Sequence, residues 1–281
     1  MRSEEELLSL ILEVAGADNR IRAVLLNGSR ANPNAAKDIF QDFDIVYVVT
    51  EMSAFLRNHS WVDKFGKRII LQLPDEMTFG DKDDHAFHYL MLFEDGHRID
   101  LTLFPLGKLS TQFKPDSQTI LLLDKDRLFE NIPPASDSDY LIRHPTEKEF
   151  GDCCNEFWWV STYVAKGLWR KEITYAKEML EIPVRTMFLK MIEWHIGVEH
   201  DFTISFGKAG RNMKKYISAE LYENVLATYP DSDPRNIWNA LFLMTGLFSQ
   251  LARKTAEALK FEYNKQEEEN VVEYLKRVHG K

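Results

Sequence analysis

The sequence predicts a mixed α+β fold in two domains, residues 1–135 built on strands and 136–281 built on helices. Three observations carry this expectation. Short apolar runs separated by turns fill the chain to about residue 135, and long segments of helical period follow. Between them, Asn131-Ile-Pro-Pro-Ala-Ser-Asp-Ser-Asp139 is rich in proline and small polar residues, which suit a linker and neither a helix nor a central strand. The length of 281 residues exceeds one typical domain and falls short of three.

Glu4 to Val14 has the pattern of a helix, and Ile21 to Leu26 is a short apolar run that stops at Asn27-Gly28-Ser29, a strand entering a turn. Asp44-Ile-Val-Tyr-Val-Val49 and Arg68-Ile-Ile-Leu-Gln-Leu73 are rich in the β-branched and aromatic residues that fit a pleated surface. His88 to Phe93 and Arg98 to Phe104 flank Glu94-Asp95-Gly96-His97, and Asp-Gly between two such runs predicts an antiparallel hairpin. In the second half, Thr146 followed by Glu149 is a capping-box signature that starts a helix running to about Trp169. Further helices are expected over Tyr175–His200, broken or kinked near Pro183, over Arg211–Thr228, and over Arg235–Arg277 in one or two pieces. No internal repeat or low-complexity tract interrupts them, and the run Gln266 to Glu269 has the pattern of a solvated helix face.

Hydrophobic residues make up 44% and charged residues 28%, the balance of a soluble globular protein. Acidic residues outnumber basic ones 44 to 35, a formal charge of -9 that repels a polyanion and attracts a cationic partner. Nucleic acid is therefore disfavoured as a substrate, although mild acidity also serves solubility alone. The only cysteines, Cys153 and Cys154, are neighbours among aromatic residues, so neither a disulfide framework nor a four-ligand zinc site can form. No signal-peptide pattern and no apolar stretch of membrane-spanning length is present, so a cytoplasmic location without membrane contact is expected.

Strand side chains alternate, so Asp42 and Asp44 point to one face and Phe43 to the other. Magnesium takes oxygen ligands and is commonly held by one or two carboxylates together with substrate phosphates. The same alternation puts Arg98, Asp100 and Thr102 opposite the apolar Ile99, Leu101 and Leu103. If the two strands are neighbours, Asp100 completes a three-carboxylate site able to hold two ions about 4 Å apart. The turn Gly28-Ser29-Arg30 adds a backbone nest and a hydroxyl for phosphate, and Arg30 or Lys37 can lend positive charge. An Asp-x-Asp triplet alone means little, because the chain has five, at 42/44, 81/83, 124/126, 137/139 and 231/233. Only the first opens a strand shortly after a strand-Gly-Ser turn; the others lie where turn chemistry accounts for aspartate.

Taken together, Leu25-Leu26-Asn27-Gly28-Ser29-Arg30, Gln41-Asp42-Phe43-Asp44-Ile45 and Glu94-Asp95-Gly96-His97-Arg98-Ile99-Asp100-Leu101-Thr102-Leu103 closely resemble the aminoglycoside 6-adenylyltransferases, the streptomycin adenylyltransferase family. The resemblance continues into the second half at Met191 to His200 and at Gly207-Lys208. It implies a polymerase-β-like nucleotidyltransferase domain with a mixed sheet flanked by helices, followed by a helical-bundle domain that binds substrate. It also implies ATP and magnesium, transfer of AMP to a streptomycin hydroxyl, and hence antibiotic resistance. Asp42 and Asp44 would hold the ions, and Asp100 would be either a third ligand or the general base.

Guanidinium groups pair with carboxylates and stack on aromatic rings, so Glu193, Trp194, Glu199 and Asp201 are candidates for the substrate wall. Each taken singly is more readily an ordinary helix acid or core tryptophan, and it is as a cluster that they suggest the wall. Lys208, Arg211, Lys214 and Lys215 form the densest basic segment; Lys208 and Lys215, seven apart, share a helical face if a helix begins early enough, and can then meet the triphosphate. Gly207-Lys208 lacks the spacing of a Walker loop. His85 and His88 suggest a surface loop rather than zinc ligands, His195 and His200 have the wrong spacing for a zinc helix, and Asp81 does not open a calcium loop. Two other readings remain: a nucleotidyltransferase with a different acceptor, and a non-catalytic module of toxin-antitoxin type that keeps the fold.

Overall fold

In the computed structural model, which describes residues 2–79 and 85–280, the chain divides into two compact units, Met1–Asp139 and Tyr140–Lys281. The boundary falls after Asp139, not after residue 135, because the intervening segment bonds back onto the first unit. The Ser136 N–H donates to the Ser117 carbonyl at 2.7 Å, and the Ser117 N–H donates to Asp139 Oδ2 at 2.8 Å. Asp81 and Asp83 lie outside the described residues.

The first unit begins with α1 (Glu4–Ala17), whose start is fixed by a capping box between Ser3 and Glu6 and whose buried stripe is Leu7, Ile11 and Val14. There follow β1 (Ile21–Asn27), β2 (Phe43–Val49), the short α2 (Met52–Leu56), β3 (Arg68–Gln72), β4 (Phe87–Phe93), β5 (Arg98–Pro105), the short α3 (Leu109–Gln112) and β6 (Ile120–Asp124). They form one six-stranded mixed sheet in the order β3-β4-β5-β2-β1-β6. β4 and β5 are the expected hairpin, antiparallel from Phe87↔Leu103 to Leu92↔Arg98, with Gly96 at φ +86° in its turn. β2 pairs with β5 in parallel, and this pairing across separate hairpin and strand is what no local pattern reveals. β6 has no forecast in the sequence: its five residues, Ile120-Leu-Leu-Leu-Asp124, begin with four apolar residues without polar alternation, and such short apolar runs carry no period.

Alternation gives the sheet two apolar faces. Val24, Leu26, Phe43, Ile45, Tyr47, Tyr89, Met91, Ile99 and Leu101 pack on the α1 side, whereas Ala23, Leu25, Val46, Val48 and Phe104 form a smaller cluster on the other. His88 belongs to β4, not to a surface loop: it is half-buried, its N–H donates to Asp75 Oδ2 at 2.7 Å and its ring Nδ1 lies 3.1 Å from the same oxygen.

The second unit is helical: α4 (Glu147–Trp169), α5 (Ile173–Met179), α6 (Arg185–Glu199), α7 (Ala219–Ala227), α8 (Pro234–Leu259) and α9 (Lys265–His279). The Thr146–Glu149 capping box opens α4 as expected. Near Pro183 the helix does not break. A π-turn over Leu180–Val184 joins α5 to α6, its wider coil accommodating the missing proline N–H. The helix expected over Arg211–Thr228 begins only at Ala219, capped by Ser218. Before it, Gly207 and Gly210 have φ of +73° and +77° and Ala209 +53°, so the chain makes tight turns that no helix tolerates. The aromatic core is centred on Phe157 and Phe248, stacked with centroids 3.7 Å apart, and both cysteines are buried within it as free thiols. Glu268 is a correction to the solvated run: it is 8% exposed and bonded to Ser249, Arg253 and Tyr263. Among the described residues no helix is long and apolar enough to cross a membrane.

Candidate active site

The sheet register assembles the carboxylates. In the antiparallel pair Asn27 lies opposite Asp44, and in the parallel pair Asp44 lies opposite Asp100, so the three form one row across β1, β2 and β5. Asp42 stands immediately before β2, and its carboxylate lies beside those of Asp44 and Asp100. Ligand oxygens of Asp42, Asp44 and Asp100 all lie within 4.8 Å of one another. Further along β2 the same face becomes apolar at Val46 and Val48, so the polar patch is confined to the strand ends.

The turn after β1 fits closely over this row. Gly28 has φ +72°, and a Cβ there would overlap Asp44 Oδ2; glycine is required both by the backbone and by the space the carboxylate occupies. Gln41, buried at the other end of the loop, sends its amide toward the Ser29 carbonyl at 3.4 Å and the Ser29 hydroxyl at 3.5 Å. Arg30, expected to lend positive charge to phosphate, anchors the loop. Its Nε donates to the Asp42 carbonyl at 2.9 Å, Nη2 donates to the Gln41 carbonyl at 2.7 Å, and Nη1 lies 3.3 Å from Glu4 Oε2. Its guanidinium also covers the Phe43 ring at 3.8 Å, and its side chain is only 6% exposed. Three of the five N–H donors of the guanidinium are thus engaged, and it holds the backbone of Gln41 and Asp42. Lys37 is exposed and lies 3.7 Å from Glu4.

Electrostatics single out Asp44. Burial comes first, then the charges of Asp42 and Asp100, with Asp116 beyond them, and together they push its carboxyl up to about 7. Arg98 opposes this shift: it grips Asp100 through Nε at 2.6 Å and through Nη2, and its own acidity falls further because Asp100, Asp42 and Asp44 surround it. Sequence reasoning placed Arg98 on the face of Asp100 without assigning it to the site, and it missed Asp116. A signal for Arg98 exists, since opposite charges two apart on a strand share a face; Asp116 reaches the row only through the connection leading into β6.

A row of carboxylates with one guanidinium has an excess of negative charge, and its donors are all oxygen, which is the chemistry that magnesium selects. The residues present therefore fit a divalent cation held by Asp42, Asp44 and Asp100.

In the helical unit the nominated residues have separate fates. Trp194 is 6% exposed in the core beside Phe150, which removes it from a substrate wall. Glu193 pairs with Lys190 at 2.9 Å, and Glu199 lies 3.3 Å from His195, whose imidazole is held below its ordinary range by burial. Asp201 is exposed just past the end of α6. Lys208 and Lys215 sit on two different short turns, Lys208–Gly210 and Met213–Lys215, so the shared helical face does not exist.

Comparison with known proteins adds an independent finding. The family model described as streptomycin adenylyltransferase matches residues 1–278. An aminoglycoside 6-adenylyltransferase of Campylobacter jejuni is 43% identical over 263 residues, covering 94% of this chain and 91% of that protein. Those of Bacillus subtilis and Staphylococcus aureus are 42% and 37% identical, over 94% and 91% of this chain and 93% and 92% of their own lengths. A crystal structure of an aminoglycoside 6-adenyltransferase from Bacillus subtilis aligns over 99% of both chains with a TM-score of 0.50 and 37% identity.

Proposed function

Because the chain belongs to the streptomycin adenylyltransferase family, we propose that it transfers AMP from ATP to a hydroxyl of streptomycin, with magnesium held by Asp42, Asp44 and Asp100. The observation that carries this reading is the row of carboxylates within 4.8 Å beneath the Gly28-Ser29 turn. An aminoglycoside hydroxyl attacks the α-phosphorus, the bond from that phosphorus to the bridging oxygen breaks, and pyrophosphate leaves. Asp42, Asp44 and Asp100 would hold the magnesium, as two ions in this reading, and its positive charge would offset the negative charge of the phosphate groups. The protein's own part is alignment: Gly28 leaves room for close approach of backbone to phosphate, and Ser29 offers a hydroxyl and an N–H.

Asp100 has two available roles, third ligand or acceptor of the hydroxyl proton, and Arg98 holds it in place for either. Asp100→Asn separates them. If it is a ligand, the magnesium concentration needed for half-maximal rate rises; if it is the base, the rate falls with that requirement unchanged.

In the helical unit, Glu193, Glu199 and Asp201 are the carboxylates proposed to pair with the guanidinium groups of the antibiotic. The negative charge of -9 favours that cation over a nucleic acid, and dependence on ATP fits a cytoplasmic enzyme that confers resistance. The test is incubation with labelled ATP, magnesium and streptomycin, followed by mass spectrometry for adenylylated drug. Product with streptomycin is expected. Product with another aminoglycoside alone would reassign the acceptor, and no product across the class would overturn the reading.

A further inference from the structure

The loop that carries Gly28 and Ser29 is held from its far side by a residue that neither the strand pattern nor the carboxylate row accounts for. Asn32 sits one turn beyond Gly28, and its backbone N–H donates to the Gly28 carbonyl at 3.2 Å. The side chain of Asn32 does two further things. Its Oδ1 accepts from the Asn34 N–H at 2.8 Å, and its Nδ2 donates to Asp137 Oδ1. Asn34 Nδ2 donates to the other carboxylate oxygen of Asp137 at 2.9 Å, and Gln118 Nε2 donates to Oδ1 at 3.1 Å. Asp137 thus receives three side-chain amides from two segments, and an ionised carboxylate, which only accepts, is suited to such a set.

The neighbours of this bracket are fixed as well. Gln118 is 8% exposed and Thr119 is 1% exposed. The Thr119 hydroxyl lies 3.0 Å from Asn27 Oδ1, and Asn27 is the residue opposite Asp44 in the sheet. Ser117 and Asp139 exchange hydrogen bonds, the Asp139 N–H donating to Ser117 Oγ at 3.0 Å. A stretch with the composition of a free linker therefore lies against the 116–119 connection, with the Asp137 carboxylate directed at the loop.

From this geometry we infer that Asp137 is a positioning residue for the nucleotide: through Asn32 and Asn34 it sets the Gly28-Ser29 turn in the conformation that receives the triphosphate of ATP. The inference rests on the nucleotidyl-transfer reading above. Asp137 touches no reacting atom in it; its effect reaches the phosphates through Asn32 and the Gly28 carbonyl. Loss of the carboxylate frees the loop, so the nucleotide must order it on binding, and affinity falls while the carboxylate row remains intact.

The test uses the full-length protein with Asp137→Ala, Asp137→Asn and Asn34→Ala, and three readouts. Asp137→Ala is expected to weaken MgATP binding by calorimetry by about fivefold or more, the equivalent of about one hydrogen bond. The KM for MgATP should rise by the same factor, with kcat and the KM for streptomycin changed by less than about twofold. Amide hydrogen exchange over residues 28–35 should quicken in the nucleotide-free protein, since that loop loses its far anchor. Asp137→Asn, which keeps one acceptor oxygen, should fall between wild type and Asp137→Ala, and Asn34→Ala should follow the same direction to a smaller degree. Equal MgATP affinity in wild type and Asp137→Ala, unchanged exchange over 28–35, or a loss confined to kcat would each overturn the positioning role. Failure of the wild-type protein to transfer AMP, with MgATP affinity still dependent on Asp137, would sink the acceptor reading and leave this one standing; failure of the wild type to bind MgATP would sink both.

Discussion

In the helical unit Arg185 is buried, yet each of its nitrogens has a partner: Nε donates to Glu181 Oε2 at 2.6 Å, Nη1 to Thr228 Oγ1 at 2.8 Å and Nη2 to the Thr228 carbonyl at 2.7 Å. The ring of Tyr229 covers its plane at 3.5 Å. In the sheet unit Asp44 has the opposite surroundings, with Asp42, Asp100 and Asp116 adding like charge and Arg98 alone opposing them. The first arrangement is closed and needs nothing from solution. The second is left with an excess of one sign, a cost that a bound cation removes, and such uncompensated clusters mark chemistry more often than stability.

The sharpest way to break that contrast is to neutralise one acid. Asp42→Asn and Asp44→Asn are each expected to lower AMP transfer about 1,000-fold, roughly 4 kcal/mol of barrier, with the circular dichroism spectrum unchanged. Activity within tenfold of wild type would show the row to be ordinary surface acid. The matching change in the helical unit, Arg185→Met, should act on stability instead. It strands Glu181 and Thr228 and is expected to cost about 3 kcal/mol, seen as a Tm lower by about 10 °C, with kcat of the folded fraction retained.

A methyl group placed between turn and row tests their fit. Gly28→Ala would force the turn away from Asp44 Oδ2, and about a 50-fold loss of AMP transfer is expected, with the larger part of the effect in kcat/KM for MgATP.

The smallest effect is the most specific. Because the Asp44 carboxyl is raised to about 7 by burial and its neighbours, the folded chain binds that proton more tightly than the unfolded chain does. Its stabilising contribution is complete below the unfolded value of about 4 and is lost as pH rises through about 7. In the presence of a chelator, Asp44→Asn should therefore match the wild-type Tm near pH 4 and exceed it by about 3–6 °C at pH 8. Added magnesium should raise the wild-type Tm at pH 8 and leave the variant unmoved. A variant less stable than wild type at pH 8 without metal would mean that Asp44 is satisfied by the protein itself.

Much of this site is legible in the sequence. Gly28, Ser29, Asp42, Asp44 and Asp100 follow from two local rules, glycine where the backbone turns and strand alternation where side chains must share a face. The departures from expectation have local causes too. Charge alone makes Arg30 a phosphate ligand, but its position beneath the loop is decided by Phe43 and the carbonyls of Gln41 and Asp42. The charge run puts Glu268 on a solvated face, whereas its burial comes from the packing of Ser249 and Arg253 of α8 and of Tyr263 against it. A helical period joins Lys208 to Lys215, and the positive φ at Gly207, Ala209 and Gly210 interrupts it.

The sequence by itself determined the family, the strand-then-helix order, the hairpin at Asp95-Gly96 and the shared face of Asp42 and Asp44, because short motifs and local periods carry each of them. Only the tertiary structure decided that β2 lies beside β5 in parallel and puts Asp44 opposite Asp100. It also decided that the linker residue Asp137 reaches back to Asn32 and Asn34. Pairing between distant strands, and the return of a linker onto a loop, depend on which apolar faces bury one another across the chain, and that choice has no signature within a local window.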